Sequence, residues 1–554
     1  MKKWLVLIIM CAAQFIMVLD TTVMNVSVSN VVEDLDTTIT QVQLAITLYT
    51  LVMGSFMLLG GKMGDIFGRK KIFGIGLLVY GLGSMITALS PNVGWLLFGW
   101  SGVEGVGAVL VMPAIISLTA ANYRGRDRAT AYGALGGIAA AGAAAGPLIG
   151  GWVTEALTWR VVFAAETLVC IVIVIFMRTI ADSPSKEERK RIDWGGAALS
   201  ATGLGLIVLA LLKAGEWGFV TPTGALEING HEITPFGFSV VPFMIAAGFL
   251  VLAGFFRWER RVIAGGEVPL MHPDILRKLQ LRNGLVMLMA QQTIIGGVFF
   301  VIPIYLQYVL ELNAFETGVK LMPMSIAMLI TAFTGPKLAV TRSPRQIVRG
   351  GLVLVVVGAL VLVASITPEI SGAIFFTGMA IFGAGFGFVA SQLGNVIMSS
   401  IGDADRGEAG GLQGTSQNIG SSIGVALIGA VLLTSLASGV NETVQTDPAL
   451  SASAKTAVQQ GTADGLDILT RDQLDEIAEN SGLPKSETDE VIAIYQDAQL
   501  TSIKKALLLA SLLGALGLMI ASRLPTVPGV ELGAPDESTG DAAGGGPEPL
   551  PAPA

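Results

Sequence analysis

Apolar runs long enough to cross a bilayer recur along the whole chain, separated by short polar connections. A spanning helix needs about 20 predominantly apolar residues. Fourteen stretches meet that length: residues 4–29, 44–64, 72–91, 94–116, 131–153, 160–178, 195–213, 238–257, 283–307, 317–338, 347–366, 372–395, 411–436 and 502–522. Two segments break the pattern. Residues 437–500 are polar, with amphipathic pieces such as LTRDQLDEIAENSG (469–482), and predict an external loop carrying short helices as a small cap. Residues 524–554, rich in Pro, Gly and acids, predict a disordered tail on the cytoplasmic side. The first run lacks a small-residue cleavage site after a short apolar core, so it reads as a retained helix.

The charges that interrupt the runs set an orientation. Lys and Arg gather at Lys2 and Lys3, at GRKK (68–71), RGRDR (124–128), KEERKR (186–191), RWERR (257–261), RKLQLR (277–282) and RSPRQIVR (342–349). All of these fall on alternate connections, whereas the opposite ones are acidic or neutral, as in VEDLD (32–36). Positive loops stay inside, which predicts a multi-pass protein of the cell membrane with both termini cytoplasmic.

Composition narrows the class. Hydrophobic residues make up 52% of the 554 and charged residues 14%, against roughly a quarter charged in soluble domains, so the apolar excess faces lipid. The net charge is −8 and the basic residues are scattered between apolar runs, which gives nucleic acid no footprint. Cys11 and Cys170 are the only cysteines, both inside apolar runs, and His231 and His272 the only histidines, outside the spans. Neither a disulfide framework nor a metal site is expected from them.

An internal repeat emerges next. GGKMGDIFGRKKIFGIG (60–76) and GPKLAVTRSPRQIVRGG (335–351) align without gaps, each beginning with Gly, with Lys third, basic residues near the turn and Gly at the end. Both follow an even-numbered span. Six spans, then two, then six form parallel halves, as parallel repeats do in transporters. The implied division is residues 1–180, the extra pair 181–282, and 283–523 with the external loop 437–500 inside it.

On these residues the chain resembles the major facilitator superfamily, in its fourteen-helix drug:proton antiporter branch. GKMGDIFGRKK (61–71) is similar to the loop motif between its second and third helices, and GAAAGPLIGGW (142–152) to its fifth-helix antiporter motif. LDTTVMNVSVS (19–29) is similar to its first-helix motif and TWRVVF (158–163) to its sixth-helix opening. The resemblance covers roughly residues 1–436 and 502–522 and implies an all-α polytopic fold: two six-helix bundles with two extra helices between them.

It also implies roles. Gly61, Asp65, Gly68, Arg69 and Lys70 would form a cytoplasmic latch between the halves, although topogenic charge plus a helix cap explains them too. The second copy has Val340 where Asp65 stands, so such a latch is asymmetric. Gly142, Gly146 and Gly150 recur every four residues and make a small-residue face for tight packing; Pro147, which lacks an amide proton, is placed to bend the helix, and Gly151 completes the motif. The resemblance places that face between the halves. In the family the fourth helix carries Arg and Gln three residues apart, and the sixth an Asn. Here SGVEG (101–105) puts Ser101 and Glu104 at the first two positions and Glu166 stands at the third.

The acids carry the candidate chemistry. Asp20 lies sixteen residues after Trp4, about 24 Å in from the near interface. Glu104 and Glu166 sit about 15 and 9 Å from the outer one, and no Lys or Arg lies at comparable depth in the first six spans. Intramembrane carboxylates of this kind are functional candidates by default, here for protons or a cationic substrate. The alternative for Asp20 is a carboxyl satisfied by Thr21, Thr22 or Ser27 on a packed face. Exchange of Arg for acids predicts a more negative cavity that favours cationic substrates or a different proton relay. Further cavity candidates are Asn25, Gln291, Gln292, Tyr305, Gln307, Gln392 and Asn395.

The expected function is a secondary active exporter that exchanges protons for lipophilic, cationic compounds by alternating access. No cofactor is expected, since the proton gradient supplies the drive and nothing matches the G-x-x-x-x-G-K-[ST] nucleotide loop. The expected partners are the bilayer, small lipophilic substrates and protons, with 437–500 a site for an external partner. Two other readings stay open: a dedicated exporter of one lipid, peptide or metabolite, and a transporter-like sensor that no longer cycles. An enzyme is not expected, because no nucleophile–base pair or metal cluster is apparent at membrane depth.

Overall fold

A bilayer core offers no partner for backbone N–H and C=O groups, and a helix satisfies them internally; the apolar runs accordingly fold as helices. The computed structural model describes residues 2–123, 125–181, 192–222, 226–228, 231–369, 372–401, 406–461, 466–480 and 483–526. Among these, fourteen helices are long and apolar enough to span a membrane. The first six are α1 (Trp4–Val26), α2 (Ile39–Phe67), α3 (Arg69–Ala88), α4 (Val93–Thr119), α5 (Ala134–Ala156) and α6 (Arg160–Thr179). An extra pair follows, α7 (Trp194–Trp217) and α8 (Val241–Ala264). The last six are α9 (Leu279–Val309), α10 (Ala314–Leu338), α11 (Pro344–Ser365), α12 (Gly372–Ser399), α13 (Glu408–Thr446) and α14 (Lys485–Ala521). The basic run 186–191 and the expected tail from residue 527 onward lie outside the described residues.

The two copies of the repeat turn by different devices. After α2 the chain reverses at Gly68, whose φ of 98° suits only a residue without Cβ. After α10 the turn ends in a capping box, with the Ser343 hydroxyl accepting from the Gln346 N–H and the Gln346 side chain accepting from the Ser343 N–H.

Each half repeats the same packing. In the first, α1 packs on α5, α2 on α4, α3 on α4 and α3 on α6; in the second, α9 packs on α13, α10 on α12, α11 on α12 and α11 on α14. The halves meet through α2 against α13 and α5 against α10, two contacts that exchange when the halves are exchanged. The extra pair packs on itself and, through α7, on α2 and α13. It flanks the junction without entering the core between the halves.

With fourteen spans, both ends of the spanning region share one face, here called the termini face. On the opposite face α13 and α14 run further than predicted. The expected loop 437–500 begins and ends as continuations of these spans, with Val440, Val444, Ile494 and Ala498 buried. Extending an existing helix avoids a new nucleation cost, and these faces pack on each other. Two short helices, Ala452–Gly461 and Arg471–Asn480, lie between. The Tyr495 hydroxyl donates to the Asp467 carbonyl (2.7 Å) and accepts from the Leu469 N–H (2.9 Å). The Asp467 carboxyl lies against the backbone N–H groups of Ile39 and Thr40 at the start of α2, where the cap meets the first half. Burial pushes the Asp467 carboxyl above the usual range, against the effect of those N–H groups.

Glycines let these helices approach closely. A Cβ at Gly107 of α4 would collide with the backbone of Tyr80 on α3, and one at Gly83 of α3 with the backbone of Glu104 on α4. Gly205 of α7 and Gly254 of α8 face open space. Overpacking a tight contact costs about 1–3 kcal/mol. Gly107→Val therefore lowers the thermal midpoint of the purified protein in detergent, whereas Gly205→Val leaves it within error; equal midpoints would remove the α3–α4 contact from the account.

Candidate functional site

Three helices of the first half converge on one cluster of acids. Asp20 on α1, Glu104 on α4 and Glu166 on α6 are buried, the first two completely. Each offers a carboxylate oxygen within 4.8 Å of the others. Glu104 reaches this position at the end of a π-helical stretch, Leu97–Glu104, a local widening that is frequent at functional sites.

Few donors serve these oxygens. The Trp100 indole Nε1–H donates to Asp20 Oδ1 at 2.8 Å. The Tyr80 and Ser84 hydroxyls each approach Glu166 Oε2 at 3.4 Å. Asp20 Oδ2, Glu166 Oε1 and both Glu104 oxygens have no hydrogen-bond partner among the described residues. Thr21 and Thr22 donate instead to the carbonyls of Val18 and Leu19, and Ser27 bonds Thr154. The neighbouring-hydroxyl alternative for Asp20 is thereby corrected: Thr21 and Thr22 turn back onto their own helix backbone, Ser27 is taken up by Thr154, and the donor to Asp20 comes from α4. No described Lys, Arg or His bonds to any of the three acids. A shared proton or a shared cation fits such a spacing.

Beside the cluster, between the halves, lies a cavity of about 270 Å³. Its first-half wall includes Thr21, Asn25, Tyr49, Thr50 and Trp100, and its second-half wall Gln292, Phe299, Phe386, Gln417, Asn418 and Ser421. Every lining residue is uncharged. The acids are not among them. Tyr49 and Trp100 stand between, their rings stacked at 4.7 Å with an 8° tilt. The negative cavity expected from sequence is therefore a neutral, amide- and aromatic-lined one with the acids behind its wall.

Of the other candidates, Asn25 and Gln292 line the cavity. The rest do not. Ser101 donates to the Ala45 carbonyl (2.8 Å) and fastens α4 to α2. Gln291 is buried against the Phe386 carbonyl, and Gln392 bonds Ser391. Tyr305 donates to the Thr367 carbonyl (2.8 Å), and Asn395 is exposed. Gln307 bridges the halves outside the cavity, donating to the Val26 carbonyl (2.7 Å) and accepting from the Ser29 N–H (3.1 Å). Sequence reasoning missed Trp100, Tyr49, Tyr80, Gln417 and Asn418. Trp100 precedes Glu104 by one turn, a spacing that placed it on the same helix side; the others carried no local signal.

Comparison with known proteins fits this architecture. The family model for the Major Facilitator Superfamily matches residues 10–425. The chain belongs to that superfamily. Among curated relatives, a puromycin resistance protein of Streptomyces alboniger is 28% identical over 435 residues, covering 78% of this chain and 82% of that one. A cephamycin export protein of Amycolatopsis lactamdurans is 29% identical over 443 residues (78% and 85%). A multidrug transporter of Bacillus subtilis strain 168 is 24% identical over 434 residues (78% and 75%). In fold, the chain is similar to a bacterial homologue of the human lysosomal transporter Spinster, solved in an inward-facing, unoccupied conformation. The TM-score is 0.57 at 14% identity, over 94% of this chain and 98% of that one. The chain is thus a membrane transporter of an efflux-type lineage rather than an enzyme.

The superfamily motifs take up definite positions. Arg69 bonds Asp65 through Nε (3.1 Å) and Nη2 (2.9 Å), and Lys70 donates to the Ile180 carbonyl (2.7 Å). These contacts stay within the first half. Asp65 and Arg69 also border, with Gly61, Lys62 and second-half residues Glu408, Gly410 and Gly411, a space of about 90 Å³ on the termini face. In α5, Gly142, Gly146 and Gly150 face Val18, Thr22 and Val23 of α1, so that stripe packs within its own half. This corrects the placement between the halves. One position round the helix, Pro147 and Gly151 meet Gly318 and Ala314 of α10, and these carry the contact with the second half. In the sixth-helix motif, Trp159 and Arg160 both donate to Asp34 Oδ2, at 2.9 and 2.6 Å.

A buried polar group without a partner costs about 1–3 kcal/mol. Glu104→Met, similar in volume and free of that penalty, is expected to raise the thermal midpoint in detergent. A lowered midpoint would mean that the carboxyl has a stabilising partner.

Proposed function

We propose that this protein is a proton-coupled exporter, an antiporter that moves lipophilic small molecules outward by alternating access. The observation that carries the proposal is the acid cluster. Two unit charges 4.8 Å apart repel by about 3 kcal/mol at an effective dielectric near 20, so three carboxyl groups to which no described Lys, Arg or His bonds favour a shared proton. Cluster and cavity belong to one half's helices and the inter-half space respectively, so rocking of residues 1–180 against 283–523 changes the exposure of the cavity, behind whose Tyr49–Trp100 wall the cluster lies. The resistance and export roles named for the relatives support the outward direction.

Orientation follows from charge. The termini face carries Arg69, Lys70, Lys71, Arg260, Arg261, Arg345 and Arg349, and the opposite face Glu33, Asp34, Asp36, Asp447 and Asp467. Positive charge marks the cytoplasmic side of a cell membrane. Lipophilic cations suit a cavity whose lining includes the aromatic residues Tyr49, Trp100, Phe299 and Phe386, without a carboxylate in direct contact. Flat uncharged compounds fit the same walls.

The test is uptake into inverted membrane vesicles under an imposed proton gradient, with puromycin, ethidium and tetraphenylphosphonium as probes. Gradient-driven uptake is expected for at least one probe, with a loss of roughly tenfold or more in Asp20→Asn and in Glu104→Gln. Uptake that persists unchanged in both variants would remove the cluster from coupling. No uptake of any probe by the unmodified protein would reject broad export.

A further inference from the structure

Cavity and acid cluster are separate compartments, and one side chain belongs to both. Trp100 lines the cavity, while its indole N–H, the only hydrogen-bonding group an indole has, is spent on Asp20 Oδ1 at 2.8 Å. Its ring stacks on Tyr49, the other aromatic of that wall, and meets Phe163 of α6 edge-on at 6.5 Å. Trp100 and Glu104 share the π-helical stretch Leu97–Glu104, so a shift of that stretch moves the wall and the cluster together. Asp20 is surrounded by Tyr49 from α2, Tyr80 from α3, Glu104 from α4 and Glu166 from α6. Against α1 at this level α5 brings Gly142, Gly146 and Gly150, and α9 meets α1 about 9 Å further along, where the neutral Gln307 donates to the Val26 carbonyl.

We propose that Trp100 is the coupling residue: it transmits the proton occupancy of the cluster to the substrate cavity, and the cavity's occupant is a flat aromatic compound seated on the Tyr49–Trp100 stack. The inference rests on the proton reading of the cluster. A hydrogen bond to an ionised carboxylate is roughly twice as strong as one to a neutral group. An ionised Asp20 therefore holds the indole in the stack, and a proton arriving at the cluster loosens it. Linkage is reciprocal: an occupant that favours the ordered stack favours the ionised cluster by the same factor, and its binding expels a proton. The amides of Asn25, Gln292, Gln417 and Asn418 stand on the other walls and suit a polar edge on that flat body. Trp100 touches no proton itself; it positions.

The experiment uses the full chain, purified in lightly buffered detergent with a pH-sensitive dye. Puromycin, ethidium and tetraphenylphosphonium are added in turn, and binding is measured in parallel by equilibrium dialysis. The unmodified protein is expected to release protons as a probe binds, and Asp20→Asn to release none. Trp100→Phe keeps an aromatic ring on Tyr49 without the N–H. It is expected to bind the probe and release no protons. Proton release by Trp100→Phe equal to that of the unmodified protein overturns this inference and leaves the proton reading standing. Undiminished release by Asp20→Asn overturns the proton reading itself, and so does the absence of binding or release for every probe in the unmodified protein. If Trp100→Phe fails to fold, Tyr49→Leu, which removes the stack and keeps the N–H, is the second variant. Full coupling there rejects the stack as the transmitting element, and lost coupling with retained binding supports it.

Discussion

Three carboxyl groups sit buried together inside the first half, with no Lys, Arg or His among the described residues bonded to them, and much else in the molecule accommodates that constraint. Hydrocarbon supplies neither water nor counter-charge, so hydrogen-bond donors have to come from the protein itself. The donors present are an indole and two hydroxyls, fewer than the carboxylate oxygens they serve. A cluster so sparsely satisfied stores no stability. Its presence makes sense as a site whose occupancy changes.

Close helix packing makes the cluster possible. Gly83 lets α3 lie against the backbone of Glu104, and Gly107 lets α4 lie against Tyr80; with larger residues the three acids would not share one space. The π-helical stretch before Gly105 then turns Trp100 toward the cavity while leaving its N–H on Asp20. The acids and the cavity are thus neighbouring compartments separated by an aromatic wall.

The halves repeat one another in packing and differ in chemistry. Equivalent helix pairs recur in each, and the two inter-half contacts exchange under the same operation. The first half contributes the acids and the aromatic wall, whereas the second contributes Gln292, Gln417, Asn418 and two phenylalanines to the cavity. The turn motif has diverged in the same sense, Gly68 in one copy and the Ser343 capping box in the other. One packing plan therefore carries two different sets of side chains.

Much of this was legible along the chain. Length and apolarity of the runs determined fourteen spans, because hydrocarbon admits only internally bonded helices. The three acids stood out because an ionisable residue in an apolar run is costly wherever it faces. Their meeting did not, since Asp20, Glu104 and Glu166 belong to three different helices and no local spacing reports how those helices rotate about their axes. The same reason hid Gln417 and Asn418 and misplaced Ser101, Gln392 and Asn395. The glycine stripe of α5 was read correctly as a packing face, yet only the tertiary structure decided which neighbour it serves, α1 for one stripe and α10 for the next. What the sequence could determine was which groups cannot tolerate lipid; which of them face one another was decided by side-chain packing between helices far apart in the chain.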